Sequence, residues 1–145
     1  MARTILLPTD GSATAKAARR FAVDIAKGEG DSITVFSVAE PADYEGVEDE
    51  TVTAAISSYL REAAEAEAAE IRGEGVGATV DVAVARDPGE AIVRRAREIG
   101  ADVIVMGTHG RTGLARAVIG SVADRVIRRS PVPVVLVPAT GEGEP

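Results

Sequence analysis

Short apolar runs alternate along this chain with longer segments in which apolar residues recur at helical spacing. Five runs are rich in β-branched residues and too short for free-standing helices, so they are predicted to be strands. They lie in "TILLPTD", "DSITVFSVAE", a stretch from about Ala78 to Ala85, "ADVIVMG" and "VPVVLVP". Because these runs show little polar alternation, we expect both faces of the sheet to be buried.

Helices are predicted between the strands. The first is capped by Asp10 or Ser12, runs through about Lys27, and has an apolar face of Ala15, Ala18, Ala22 and Ile25. The second follows a variable acidic loop and runs from about Asp49 to Arg72, with an apolar stripe of Val52, Ile56, Tyr59, Leu60 and Ala63. We interpret its acidic residues, Glu62, Glu65, Glu67 and Glu70, as a solvated face without chemistry.

Two further helices complete the pattern. One starts at Asp87, with Pro88 in its first turn, and ends at Gly100; its inner face is Ala91, Ile92, Ala96 and Ile99. The other carries the stripe Val118, Ile119, Val122, Ala123, Val126 and Ile127. Strands that alternate with helices predict one doubly wound α/β domain over residues 1–138, with a parallel sheet between two helical layers. The tail "ATGEGEP", residues 139–145, is predicted to be disordered.

Composition narrows the possible functions. The 145 residues include no cysteine and a single histidine, so Cys or His clusters for disulfides or metal are excluded. A net charge of −7 argues against general nucleic-acid binding. No secretory signal or membrane span is evident, and we expect a cytoplasmic protein. Lysine occurs only at positions 16 and 27, which fits either a high-salt cytoplasm or a GC-rich genome.

Two loops carry candidate ligand-binding residues. Both follow strands, and ligands of doubly wound sheets bind beyond the carboxyl ends of the strands. "PTDGS" follows the first strand, and the glycine-rich "MGTHGRTGLARAVIGS" follows the fourth. Glycines let the backbone approach a ligand, and free N–H groups before a helix form an anion site. Neither common phosphate signature, G-x-x-x-x-G-K-[ST] or G-x-G-x-x-G after a strand, is present. Arg111 and Arg116 are the available cations.

Structural roles remain open for several of these residues. Asp10 could serve only as a helix cap, and Ser121 could be a buried hydroxyl that bonds to its own helical turn. His109 is a lone loop histidine, which is more often exposed than catalytic. Arg125, Arg128 and Arg129 are expected to offset the dipole at the end of the last helix.

The glycine spacing resembles that of nucleotide-binding universal stress proteins. Their pattern G-x-x-G, nine residues, then G-[ST] is matched by "GTHGRTGLARAVIGS", and the resemblance extends from "ILLPTDGS" to "SPVPVVLV". It implies a flavodoxin-like or adenine-nucleotide-hydrolase-like three-layer fold with five strands in the order 3-2-1-4-5. It also implies bound ATP or another adenine nucleotide, with Mg²⁺ or Mn²⁺ held mostly by the phosphates and no metal site built from protein side chains.

The resemblance also assigns site residues. The Val38 backbone would read the adenine edge, Pro8, Asp10, Met106 and Gly107 would lie by the nucleoside, and Thr9 and Arg111 would be contacts from the same loops. The phosphates would bind at Gly110, Gly120, Ser121 and Val122. The resulting hypothesis is a regulatory stress-response protein that binds ATP with little or no turnover and is not an enzyme. A slow ATPase and a nucleotide-free dimeric interaction module are the alternatives.

The sequence of the last strand predicts that two copies of the chain associate. If "SPVPVVLVP" is the outermost strand, its free edge lacks the charged residues that usually prevent association, since no lysine or acid lies between Pro131 and Pro138. We therefore expect a two-fold homodimer through the edge strand at residues 133–138, an interface that the family resemblance also implies. No nucleic-acid or membrane partner is expected.

Overall fold

The computed structural model describes residues 2–10, 13–26, 30–108 and 119–138. Its strands are β1 (Thr4–Pro8), β2 (Ser32–Ala39), β3 (Asp43–Tyr44), β4 (Val47–Glu48), β5 (Gly77–Val84), β6 (Val103–Gly107) and β7 (Val134–Val137). Its helices are α1 (Ala13–Ala26), α2 (Glu50–Gly73), α3 (Pro88–Ile99) and α4 (Ser121–Arg129). The main sheet is parallel, with the order β5-β2-β1-β6-β7. Without the β3–β4 hairpin this is the predicted order 3-2-1-4-5, so the α/β fold prediction is confirmed.

The central strand β1 is buried on both faces. Ile5 and Leu7 pack in a cluster with residues of α1 and α2, whereas Leu6 lies in a second cluster with residues of α3 and α4. Successive side chains of a strand point to opposite faces, so one continuous apolar run supplies both layers of core. This arrangement confirms the prediction that the apolar strands are covered on both sides.

Helices α2 and α3 begin and end close to their predicted bounds. Asp49 caps α2, its side chain accepting a hydrogen bond from the Val52 N–H at 3.1 Å. Asp87 caps α3 in the same way through the Glu90 N–H, and Pro88 occupies the first turn. Gly100 ends α3 with a φ of 65°, a left-handed conformation that favours glycine. The predicted cap Ser12 of α1 lies outside the described residues.

The apolar stripe predicted for α2 is only partly buried. Its members Val52, Ile56 and Tyr59 are 45%, 36% and 63% exposed. The buried residues, Ala64, Ala68 and Ile71, all lie in the second half of the helix and join the core of the sheet. The first half of α2 therefore carries large apolar side chains that remain partly open to solvent.

Two other details differ from prediction. The acidic loop after β2 contains the β3–β4 hairpin, whose turn residues Glu45 and Gly46 both have positive φ, at 51° and 79°. Such values match a tight hairpin turn, but glutamate rarely adopts them, so the local signal for this turn is weak. In the stripe predicted for the last helix, Ala123 and Val126 are buried, but Ile119 precedes α4 and Ile127 is exposed.

Some predictions fall on residues that the structure does not describe, namely Val118 and the predicted tail, 139–145. Among the described residues, no helix combines the length and apolar character needed to cross a bilayer.

An ion pair fixes the start of the sheet, at the edge opposite the candidate loops. The buried carboxylate of Asp31 accepts hydrogen bonds from the backbone N–H of Arg3 at 2.8 Å and from its guanidinium at 2.7 and 2.9 Å. The hydrogen bonds from the Arg3 side chain hold the pKa of Asp31 below its usual value, outweighing the opposite effect of burial. The folded state therefore favours the ionised carboxylate, which ties the amino end of β1 to the amino end of β2.

This pair predicts a pH-dependent contribution to stability. Because the pKa of Asp31 is lower in the folded state than in the unfolded state, ionisation of Asp31 stabilises the fold. At pH values above the unfolded pKa, about 4, the free energy of unfolding of wild type should therefore exceed that of Asp31→Asn. The difference should shrink as pH falls through the folded pKa. Urea unfolding of both proteins between pH 7 and pH 2.5 measures it. In an Arg3→Ala background most of the pH-dependent difference should disappear, and a difference that persisted there would contradict Arg3 as its cause.

Candidate functional site

A cavity of about 800 Å³ opens at the carboxyl ends of β1, β2 and β6. Its volume is in the range of small-molecule sites. Every predicted site residue that the structure describes lines it: Pro8, Thr9, Asp10, Val38, Met106, Gly107, Gly120, Ser121 and Val122. The remaining two, Gly110 and Arg111, lie outside the described residues. The topology therefore brings the described residues of the two candidate loops to one crevice, as the positions of these loops after neighbouring strands predict.

The β2 side of the cavity is apolar and presents backbone polar groups. Phe36 and Val38 line it from β2, and Ile56 and Leu60 line it from α2. Thr9 N–H donates to the Phe36 carbonyl at 2.9 Å, so the backbone groups of Phe36 face β1. Because backbone direction alternates along a strand, those of Val38 also face the β1 side, beyond the last paired residue, Pro8. A planar heterocycle could pack here and hydrogen-bond to Val38.

Thr9 is fixed at the end of β1 by several hydrogen bonds. Besides the N–H bond to Phe36, its carbonyl accepts from the buried Ser37 hydroxyl at 3.1 Å. Its own hydroxyl donates to Oε2 of Glu67, on α2, at 2.8 Å. The proton of this hydroxyl is therefore directed to a protein carboxylate. This bond orients Thr9 in the wall of the cavity and leaves its hydroxyl unsuited to donating to a phosphate.

The opposite side of the cavity is the beginning of α4. Gly120 is the N-cap residue, and its carbonyl accepts the N–H of Asp124 at 2.9 Å. The N–H groups of Ser121, Val122 and Ala123 precede this first helical bond, so no acceptor within the helix is available to them. All three residues line the cavity. Together with the positive end of the helix dipole, these donors suit an anion.

The alternatives left open by the sequence are partly resolved. Ser121 is exposed in the first turn of α4, so it is not a buried hydroxyl in a helix interior. Arg128 and Arg129 lie in the last turn of α4, where they oppose the helix dipole as expected. Arg125, Arg128 and Arg129 pair with Asp87, Asp124 and Glu90 at 3.4, 3.0 and 3.3 Å. They line a neighbouring cavity of about 560 Å³, which shares Ser121 and Val122 with the first. His109 and Arg116 lie outside the described residues.

Gly107 is required by packing as well as by ligand access. A Cβ added there would lie 2.6 Å from Cβ and 2.8 Å from the carbonyl carbon of Thr14, in the first turn of α1. Real Cβ atoms do not approach other atoms this closely, so any larger residue would push α1 away from β6. Gly107 thus lets α1 begin close against the end of β6, where Thr14 and Ala15 form part of the cavity wall.

Several residues at or near the site were not predicted to contribute to it. Ile56 and Leu60 carried a signal, since they belong to the predicted α2 stripe, but they were not assigned to a ligand site. Glu67 was interpreted as one of several solvated acids. In the described parts of the chain, no three His, Cys, Asp or Glu side chains form a cluster that could hold a metal ion.

The fold and the crevice define a doubly wound α/β protein, a class in which ligands occupy the switch point of a parallel sheet. A sequence profile of the Universal stress protein family matches residues 1–138, and the chain belongs to this family. It is 33% identical over 138 residues to universal stress protein MJ0531 of Methanocaldococcus jannaschii, covering 93% of this chain and 81% of that protein.

Solved structures show the same fold. The structure of MJ0577, from the same organism, is similar with a TM-score of 0.81 and 29% identity, over 95% of this chain and 96% of that one. A universal stress protein from Archaeoglobus fulgidus, solved in complex with dAMP, gives a TM-score of 0.62 and 25% identity, over 94% and 98% of the two chains.

The close approach at Gly107 makes a prediction about stability. Gly107→Ala should lower the free energy of unfolding by about 1–3 kcal/mol, the usual cost of overpacking, because the Thr14 backbone cannot yield as a flexible side chain would. Gly77→Ala is a matched control in β5, where the added Cβ would meet only Ser32 Cβ at 3.7 Å. It should change stability by about 0.5 kcal/mol or less. Denaturant unfolding compares the two, and equal stabilities would contradict the packing role of Gly107.

Proposed function

We propose that this protein binds an adenine nucleotide at the β1–β2–β6 crevice and acts as a regulatory stress-response protein with little or no turnover. The observation that carries the proposal is the presence of two complementary ends in one cavity. An apolar slot with the Val38 backbone lies at one end, and the N–H groups of Ser121, Val122 and Ala123 lie at the other. A nucleotide has the same two-ended chemistry.

The strand order supports an orientation for the ligand. Neighbouring strands lie about 4.8 Å apart, so the ends of β2, β1 and β6 follow one another across the crevice. The base would pack against the β2 side, the ribose would lie over Thr9 and Asp10, and the phosphates would reach α4. The dAMP bound by the Archaeoglobus fulgidus relative supports an adenine nucleotide as the ligand. In the proposed complex any Mg²⁺ or Mn²⁺ would be held mainly by the phosphates.

Blocking the α4 end of the cavity should abolish binding. Gly120 is buried with a φ of −65°, which any residue can adopt, so a side chain there would fill space without straining φ. In calorimetric titrations with ATP and AMP, Gly120→Val should lose at least tenfold in affinity while keeping the wild-type circular dichroism. The control is Gly77→Val, on an exposed strand end away from the cavity. Undiminished affinity in Gly120→Val would overturn the placement of the phosphates.

A slow ATPase is the alternative that uses the same site. Phosphoryl transfer normally relies on a cation at the transferred group and on a residue that orients the attacking nucleophile. The described wall offers Asp10 as a carboxylate, but the arginines near α4 are held in ion pairs. Multiple-turnover phosphate release near a typical enzyme rate, about 10 per second, and lost in Asp10→Ala, would establish the enzyme. If wild type bound no nucleotide at all, the interaction-module alternative would gain support.

We further propose that β7 joins two copies of the chain. Among the strands that the structure describes, β7 is the last of the sheet and pairs on one side only, with β6. Its four residues are half-buried valines and a leucine, without charge on the free edge. Antiparallel pairing with a second copy would satisfy the open backbone groups, and the flanking prolines would limit the pairing to a short central segment.

The edge proposal predicts that charge on β7 separates the copies. Val135→Lys should give the mass of one chain by light scattering at micromolar concentration, whereas wild type should give twice that mass. Val84→Lys places the same charge on β5, the other edge strand, at a position already 54% exposed, and should leave the mass unchanged. A wild-type protein with the mass of one chain would overturn the dimer.

A further inference from the structure

We propose that the cavity of about 560 Å³ beside α4 is a second phosphate subsite, which takes the far end of a linear phosphate chain that begins in the nucleotide cavity. For the near end of that chain, the inference rests on the proposed function. The ligands that the subsite favours are adenine nucleotides with an extended phosphate chain, such as adenosine 5′-tetraphosphate. A free inorganic polyphosphate bound beside a mononucleotide offers the same chemistry, and the experiment below distinguishes the two.

The second cavity adjoins the nucleotide cavity at the start of α4. Ser121 and Val122, in the first turn of that helix, line both cavities, and so do Glu40 and Pro88. The backbone donors proposed to hold the nucleotide phosphates therefore lie at the boundary between the two cavities. A phosphate chain that starts at these donors can extend from them into the second cavity.

A row of arginines leads away from this boundary along α4. Residues four apart share one face of a helix, and Arg125 and Arg129 follow Ser121 at this spacing. Both line the second cavity together with Arg128, and Arg86 lines it from the loop before α3. From Ser121 to Arg129 the helix advances about 12 Å. A row of cations of this length matches a linear chain of several phosphates better than it matches a single small anion.

Packing fixes the position of Arg125, the first arginine of the row. Its side chain is 43% exposed, less than those of Arg128 and Arg129, which are 73% and 57% exposed. Its stem lies against Gly89, in the first turn of α3, where an added Cβ would come within 2.9 Å of Arg125 Cδ. A larger residue at position 89 would take the space of this stem. The contact between α3 and α4 therefore places the Arg125 guanidinium at the cavity.

The arginines of the row are paired with carboxylates that a phosphate chain can replace. The three pairs have N–O distances of 3.0 to 3.4 Å, and every side chain in them is at least 37% exposed. Such pairs contribute little to stability, because water and salt screen them. A guanidinium binds a phosphate through two parallel hydrogen bonds. Among the described residues that line this cavity, four arginines outnumber three acids, although the whole chain has a net charge of −7.

The test is calorimetric titration of the full chain with AMP and with adenosine 5′-tetraphosphate at one ionic strength. Wild type should bind the tetraphosphate more tightly. Arg125→Gln should reduce the ratio of the AMP dissociation constant to that of the tetraphosphate by about two- to tenfold, because a charged hydrogen-bond donor to the far phosphates is lost. Its affinity for AMP should stay close to that of wild type, since the single phosphate of AMP remains at the first turn of α4.

Two further variants separate a local contact from general charge. Arg97→Gln removes the same charge from the last turn of α3, at an exposed position that does not line the cavity, and should keep the wild-type ratio. Asp124→Asn removes the partner of Arg128 and one acid of the cavity wall, so it should raise the ratio by about twofold. Because a misfolded protein would not bind more tightly, this gain does not depend on how Arg125→Gln folds.

Inorganic tripolyphosphate, titrated into protein saturated with AMP, distinguishes a free chain from an attached one. Binding that is weakened in Arg125→Gln would show that the subsite also takes a free chain. No binding, together with a wild-type preference for the tetraphosphate, would show that the chain must be attached to the nucleotide. Both results support the subsite.

Other outcomes overturn the subsite without affecting the proposed function. In wild type these are equal dissociation constants for AMP and the tetraphosphate together with no binding of tripolyphosphate. In the variants they are an unchanged ratio in Arg125→Gln, or a fall of the same size in Arg97→Gln, which would point to diffuse charge. A wild type that binds no nucleotide would overturn the proposed function instead. Tripolyphosphate would then test the arginine row alone: binding that Arg125→Gln weakens would support the subsite, and no binding would overturn it.

Discussion

The site depends on one constraint, the burial of β1 on both faces in the middle of a parallel sheet. Its side chains alternate between two cores, so helices must cover it on each side. The strands that flank it, β2 and β6, belong to the two halves of the chain, which are wound in opposite directions from β1. The connections leaving β1 and β6 therefore diverge, and the crevice between them is a consequence of the topology and not of any particular loop sequence.

The two ends of this crevice carry different chemical groups. The α4 end supplies backbone donors, whereas the β1 end carries Asp10 and the Thr9 hydroxyl directed towards Glu67. The close contact of Gly107 with Thr14 allows α1 to begin against the end of β6, where Thr14 forms part of the cavity wall. A ligand with one apolar end and one anionic end matches this distribution of charge, and only one of its two orientations places the anion at the donors.

The parts that sequence predicted well are those set by local rules. Strand runs, the start of α3 at Asp87 with Pro88 in its first turn, and its end at Gly100 follow from the chain within a few residues. The sequence was less informative where contacts between residues far apart in the chain determine the structure. The apolar stripe of α2 was recognised, but the sheet meets the small residues Ala64 and Ala68. The tight turn at Glu45 and Gly46 uses a residue type that seldom adopts positive φ, so its local signal was weak.

Gly107 and Glu67 differ in how much of their role the local sequence indicates. Ligand access was the predicted reason for the glycine at position 107, and the structure adds a packing requirement imposed by Thr14, far away in sequence. Glu67 did carry a local signal, because it lies three residues after Ala64 and four before Ile71 and so shares the side of α2 that faces the protein. Its exposed neighbours Glu62, Glu65 and Glu70 agree with a solvated surface. An acid placed on the inner side of an otherwise solvated acidic helix needs donors, and here they are the Thr9 hydroxyl, from the wall of the candidate site, and the Arg19 guanidinium.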